Sequence, residues 1–142
     1  GGEVAQVEQQ VNARLPRLGS YHTSNLVVAW TGSDNRLQYP ELDEVPASAV
    51  ALRSLLELYA AAGKPAVVPR VRLHIEPSNG GAAIVREMNV TIGGTLARAV
   101  AEIPVSALPP GAYRFRAIVL EGDRETGPAS TMVQIAGPGV PR

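Results

Sequence analysis

Beyond Pro69, apolar residues fall at every second position in run after run, and glycine or proline separates the runs. Val71, Leu73 and Ile75 alternate with Arg70, Arg72, His74 and Glu76. An extended chain sends successive side chains to opposite faces, so this period specifies strands with one buried and one wet face. Ser78 to Gly81 has the composition of a turn. Ala83 to Ile92 reads as the next strand, with Met88, Val90 and Ile92 inward and Arg86 interrupting the pattern as a bulge. Gly93-Gly94 turns again, and Ala97 to Val105 follows with Ala99, Ala101, Ile103 and Val105 on one face. After Leu108-Pro109-Pro110-Gly111, Tyr113, Phe115, Ala117 and Val119 alternate with Arg114 and Arg116. Gly122-Asp123 suits a hairpin turn. The last strand runs to Ile135 with Thr131, Val133 and Ile135 inward, and Gly127-Pro128 marks a bulge or an edge in it. Short strands at regular spacing, split by Gly/Pro turns, specify an all-β sandwich. A parallel α/β sheet needs a series of crossover helices, and the sequence has none.

The N-terminal half is less uniform. Val4, Val7, Val11 and Leu15 have helical spacing, which predicts a short helix over Glu3 to Leu15, ended by Pro16. Residues 1–20 are therefore read as a helical extension or linker, 21–136 as the sandwich and 137–142 as a loose tail. Thr23 to Thr31 reads as a strand with Leu26, Val28 and Trp30 on its buried face. Gly32 to Pro46 is polar and turn-rich, a long loop with room for a short edge strand. Ala47 to Ala62 is ambiguous. Leu52, Leu55, Leu56 and Tyr59 fit a helix, whereas Leu52, Ser54, Leu56 and Leu58 fit one face of a strand.

Composition removes several functions. The 142 residues suit one domain with an extension, large enough to bury a core without disulfides or metals. Absence of cysteine excludes thiol catalysis, iron–sulfur clusters and Cys-ligated zinc, and leaves the compartment open. Thirteen basic and 13 acidic residues give zero formal net charge, against the positive excess that broad capture of nucleic acid needs. The bases are nearly all arginine, Lys64 being the only lysine. No apolar run approaches the ~20 residues of a membrane helix. No signal peptide opens the chain, but Gly1-Gly2 reads as a processing scar or an artificial boundary, where a targeting segment could have been removed.

The most specific stretch runs from Ile103 to Val119. A Leu-x-Pro-Gly-x-Tyr turn leading into an alternating strand, here Leu108, Pro110, Gly111 and Tyr113, has the form of a tyrosine corner. In such a corner the phenol bonds back to upstream backbone and fixes the connection between sheets. Phe115 stands where antibody-type domains carry a cysteine, so the likeness is to the wider sandwich class. Together with Leu56-Glu57-Leu58-Tyr59, Gly127 in the returning strand, and Tyr21 to Leu26, this corner resembles the C-terminal β-sandwich regions of bacterial proteins with von Willebrand factor A-related or GWxTD domains. The resemblance covers roughly Tyr21 to Ile135. It implies an immunoglobulin/fibronectin III-like antiparallel β-sandwich, to which the spacing read above adds a short N-terminal helix or extension, and it implies a strand over Leu52 to Tyr59. The metal-ion adhesion motif Asp-x-Ser-x-Ser of that family is absent, so adhesive function does not transfer to residues of this chain.

Little in the sequence points to chemistry. His74 lies among arginines on the polar face of its strand, and His22 lies at a strand start; both read as solvated surface residues. Glu41, Asp43 and Glu44 cluster in a loop, and Glu121, Asp123 and Glu125 in a hairpin, but neither has calcium-loop spacing, and charged turns account for both. No Gly-x-Ser-x-Gly elbow or His pair appears. Arg70, Arg72, Arg114 and Arg116 should point outward. On neighbouring strands they make a basic strip for an acidic partner, unless Glu57, Glu76, Glu87 and Glu102 neutralise them as a cross-strand ladder. Zero net charge favours the ladder. Aromatic residues are 4%, few for a sugar-stacking face, and Trp30 reads as core.

The expectation is a non-catalytic structural or protein-interaction module of a larger bacterial envelope or secreted protein, hence periplasmic, cell-surface or secreted. No cofactor, metal, nucleic acid or membrane span is expected. The partner is another protein or other domains of the same chain, and a homo-oligomer is possible. Two alternatives differ in class: a self-assembling fibre or shell subunit exchanging its N-terminal segment, and a ligand-binding module for calcium, sugar or a polyanion.

Overall fold

A computed structural model describes residues 17–18, 21–40, 44–60, 68–122 and 124–136. The helix expected over Glu3 to Leu15 and the tail 137–142 lie outside these residues. In chain order the strands are β1 (Arg17–Leu18), β2 (Tyr21–Thr23), β3 (Val27–Thr31), β4 (Leu37–Gln38), β5 (Glu44–Val45) and β6 (Ala51–Ala60). They continue as β7 (Arg70–Pro77), β8 (Ile84–Glu87), β9 (Asn89–Gly93), β10 (Leu96–Pro104), β11 (Gly111–Glu121) and β12 (Arg124–Ile135). A 3-10 turn over Val105–Ala107 joins β10 to the corner.

The strands form two sheets, one of seven strands in the order β1-β2-β6-β10-β9 with β3 also on β6 and β4 on β3, and one of five in the order β5-β12-β11-β7-β8. Thus β3-β6-β10-β9 faces β12-β11-β7-β8, the strand order of an immunoglobulin-like sandwich. Both inner faces alternate as the sequence period requires. Leu52, Leu56 and Leu58 from β6, Val71, Leu73 and Ile75 from β7, and Phe115, Ala117 and Val119 from β11 are all 0% exposed and join one core. At roughly 1.5–3 kcal/mol for burying each large aliphatic or aromatic side chain, this shared core is the main favourable term holding the sheets together.

The ambiguous segment is a strand. Ala51–Ala60 pairs antiparallel with β10 along its length, and Leu52, Ser54, Leu56 and Leu58 all face inward. Leucine and alanine favour helix intrinsically, but pairing on both sides and burial of one face override a propensity of a few tenths of a kcal/mol per residue.

Four expectations need correction. Ala83 to Ile92 is not one strand: β8 pairs with β7 in one sheet, β9 pairs with β10 in the other, and buried Met88 is the crossing residue. Arg86 is no bulge, because it continues the ladder opposite Leu73; the break comes two residues later. Met88 donates its amide to Val71 O at 2.8 Å, which keeps the crossing backbone paired. A continuous period-2 pattern does not reveal such a switch, since the inward side of one sheet faces the inward side of the other. Secondly, Thr23 to Thr31 is two strands. The register on β6 slips by one residue between Thr23↔Leu58 and Val27↔Leu55, with Ser24 Oγ accepting from the Glu57 amide at 2.9 Å in the gap. Thirdly, Val105 leaves β10 for the 3-10 turn and is only half-buried. Fourthly, the sandwich is not wholly antiparallel: β5, which realises the short edge strand of the Gly32 to Pro46 loop, lies parallel to β12 at Gln134↔Glu44 and Ile135↔Val45. Trp30 is half-buried and packs against the core from its rim.

Candidate interaction surface

The loop from β10 to β11 closes one end of the sandwich. Leu108 is buried, and its amide donates to Val105 O at 2.9 Å. Gly111 has φ 147°, a conformation glycine tolerates and L side chains rarely adopt. Buried Tyr113 then donates its phenol hydroxyl to Pro109 O, the upstream carbonyl a tyrosine corner uses. Burial raises the Tyr113 pKa above the ordinary phenol value. Ser78 donates its amide to Ala112 O at 2.9 Å, which ties the β7–β8 loop to the corner.

Between the corner and that loop lies a cleft of about 560 Å³. Ile75, Ile84, Leu108, Pro109, Pro110 and Tyr113 form its apolar walls, with Ser78 and Asn79 at the polar side. Among the described residues lining it, the Tyr113 phenol is the only ionisable group, and that hydroxyl is already committed to Pro109. Asn79 Oδ1 is engaged too, accepting from the Gly81 amide at 2.9 Å. Such a cleft offers shape and apolar contact. Sequence reasoning identified the corner but not the cleft, because Ile84 and Ser78 reach it only through the pairing of β7 with β8 and β11.

The four arginines share the outer face of the five-stranded sheet on adjacent strands, Arg70 and Arg72 on β7 and Arg114 and Arg116 on β11. Three of them are met by carboxylates: Arg70 by Glu87 at 2.5 Å, Arg116 by Glu76 at 2.9 Å and Arg72 by Glu125 at 3.6 Å. Arg114 stands opposite Glu76 and Met132, but the Glu76 carboxylate goes to Arg116; among the described residues Arg114 makes no ion pair. The other sheet carries Arg53–Glu102 at 2.5 Å and Arg98–Glu57 at 3.0 Å. Exposed pairs of this kind contribute about 0–1 kcal/mol each. His74 is not the solvated side chain its neighbours suggested. It is half-buried between Arg116 and Val85 in the ladder, and its Nε2 is buried without a hydrogen-bond partner among the described residues. Among the described residues no group of three His, Cys, Asp or Glu is placed to hold a metal ion, while Glu41, Asp43 and Asp123 of the acidic clusters fall outside them.

No family model and no curated protein matches the chain. Solved structures do. Pseudomonas fluorescens alkylpurine DNA glycosylase AlkC, bound to DNA containing an abasic site analog, is similar over 82% of this chain with a TM-score of 0.52 at 16% identity. The chain spans only 30% of that glycosylase's length, and the likeness is one of fold. The C-terminal domain of Wzt is similar over 88% of this chain and 83% of its own, with a TM-score of 0.47 at 11% identity. An immunoglobulin-like protein from Pseudomonas aeruginosa is similar over 83% of this chain and 99% of its own, with a TM-score of 0.46 at 14% identity. Among the described residues no helix is long and apolar enough to cross a membrane.

Proposed function

We propose that this chain is a non-catalytic interaction module, one β-sandwich of a larger bacterial envelope or secreted protein of the von Willebrand factor A-related or GWxTD-containing kind. The cleft beside the tyrosine corner carries this reading. Its volume is that of a binding site, its walls are mainly apolar, and the Tyr113 hydroxyl and Asn79 Oδ1 are engaged in holding the loops. A rigid end of a sandwich, walled by proline-rich loops, suits a neighbouring domain or partner that inserts an uncharged apolar segment. The test is a photo-crosslinking residue at Ala107, in the cleft, in the full-length parent protein in its native host. A single adduct, mapped by mass spectrometry to one segment and lost on Ala82→Glu, is the expected result. Equal labelling from Ala107 and from Ser130, on the outer face of β12, would refute specific docking. Fractionation of the same cells tests the envelope or secreted location.

A second reading rests on Arg114. With no ion pair among the described residues, it is the member of the arginine strip best able to meet an acidic partner. Salt-sensitive retention on a sulfated resin, lost in Arg114→Ala, would support it; retention unchanged in that variant would remove it. Nucleic acid is not proposed, since the net charge is zero and the other three arginines of the strip are paired. Self-assembly through the N-terminal segment turns on residues outside those described.

A further inference from the structure

A sheet edge is a row of unpaired backbone donors and acceptors, and proteins that stay monomeric guard it with charge, proline or a bulge. Two long edges of this sandwich are guarded. β8 carries exposed Arg86 and Glu87, and Arg86 occupies the core-facing row opposite Leu73, so an incoming strand there would meet a charge. β12 has a register shift opposite Ala117 and Val119, where Gly127 and Pro128 sit, and β5 covers its far end. β9 differs. Asn89–Gly93 contains no charge and no proline, and its ladder with β10 runs without a shift from Asn89↔Val100 to Gly93↔Leu96.

The direction of its free backbone groups follows from the hairpin. A two-residue turn, Gly94-Thr95, joins β9 to β10, so the flanking pair Gly93↔Leu96 exchanges hydrogen bonds and every second pair after it does the same. Gly93, Thr91 and Asn89 therefore turn their N–H and C=O groups toward β10. Val90 and Ile92 turn theirs outward, and among the described residues no strand lies beyond them. Their side chains lie in the core-facing row, opposite Ala99 and Ala97. Ala97 is 2% exposed, but Ile92 at the rim is 40% exposed. Backbone and side chains at this edge are thus incomplete together.

We infer that β9 is a self-association edge, pairing antiparallel about a twofold axis with β9 of a second copy of this chain. The strand is self-complementary in that arrangement. Val90 faces Ile92 of the second copy and the reverse, each pair exchanging both N–H···O=C bonds, and the two apolar side chains extend each other's core row. Thr91 meets Thr91 of the second copy on the outer face, a favourable cross-strand pair, and no like charges are brought together. A charge at the axial position would have no such self-match, because pairing about a twofold sets it beside its own copy. The contact is short, well below a standard interface, so the association is weak and concentration-dependent. This edge shares no residue with the corner cleft, and the inference does not depend on the docking proposed there.

Sedimentation equilibrium from about 10 μM to about 1 mM, a span reaching weak complexes, should show a monomer–dimer equilibrium. Thr91→Lys, which sets two ammonium groups together at the axis, should raise the dissociation constant at least about tenfold, whereas Val85→Lys on β8 should leave it unchanged. Residue-resolved amide exchange on the unaltered chain supplies the second readout: Val90 and Ile92 should gain protection with concentration, and Asn89 and Thr91 should not. A monomer throughout the range overturns the inference. So does a dimer indifferent to Thr91→Lys, or one that forms without the alternating protection.

Discussion

Tyr113 shows how much one side chain is asked to do. It is a core residue by burial and a strut by its hydroxyl, which holds Pro109 and with it one wall of the cleft. Tyr113→Phe keeps the ring and removes the hydrogen bond, so urea unfolding should show a loss of about 1 kcal/mol. The same residue shapes the alkaline limb of stability. Burial raises its pKa above 10.0, so the folded state holds the proton more tightly than the unfolded chain. Its contribution is complete below pH 10.0 and is lost as pH rises through the raised value, and the stability of Tyr113→Phe should fall less steeply there than that of the parent. Thr23 offers the opposite case. Its hydroxyl is fully buried in the core-facing row of β2 with no hydrogen-bond partner among the described residues. Thr23→Val replaces it with an isosteric methyl and should stabilise by about 1 kcal/mol in the same titration. A loss on that substitution would mean that the hydroxyl is engaged.

At the scale of the strand, the two central elements were the most legible in sequence. β7 and β11 pair on both sides and bury one face, so each side chain obeys a single period. β6 was ambiguous because Leu, Ala and Glu suit either state, and its partners lie far along the chain, at β3 and β10. The switch at Met88 was not legible at all. Parity along a strand records inward and outward, and two facing sheets share one inward side. Bulges are visible only when a glycine is forced. Gly127 has φ 128°, and a Cβ there would stand 3.1 Å from Ala117 O, so Gly127→Ala should cost about 1–3 kcal/mol by thermal or urea unfolding. Gly93→Ala is the control, in open space and without a positive φ, and should fall within about 0.5 kcal/mol of the parent. Equal effects at the two positions would show that the bulge does not depend on glycine. The cleft was beyond local pattern for another reason: its walls are loops whose approach is set by the register of β7 against β8 and β11.

For the molecule as a whole, stability comes from one core shared by both sheets, while the outer faces hold charge in balance. The ion pairs described above connect neighbouring or nearby strands, each partly exposed, so that Arg53, Arg70, Arg72, Arg98 and Arg116 are each matched by a carboxylate on an outer face. The parallel alignment of β5 with the end of β12 has a mechanical meaning. An early strand and the last strand run in the same direction, so tension that draws the chain out at both ends slides one along the other and loads their hydrogen bonds together. An antiparallel pair at that place would open like a zip, one bond after another. Pulled along its own chain direction, this end of the sandwich resists as a shear joint, and single-molecule extension should find Val45→Pro, which removes a donor from that joint, yielding at lower force than the parent.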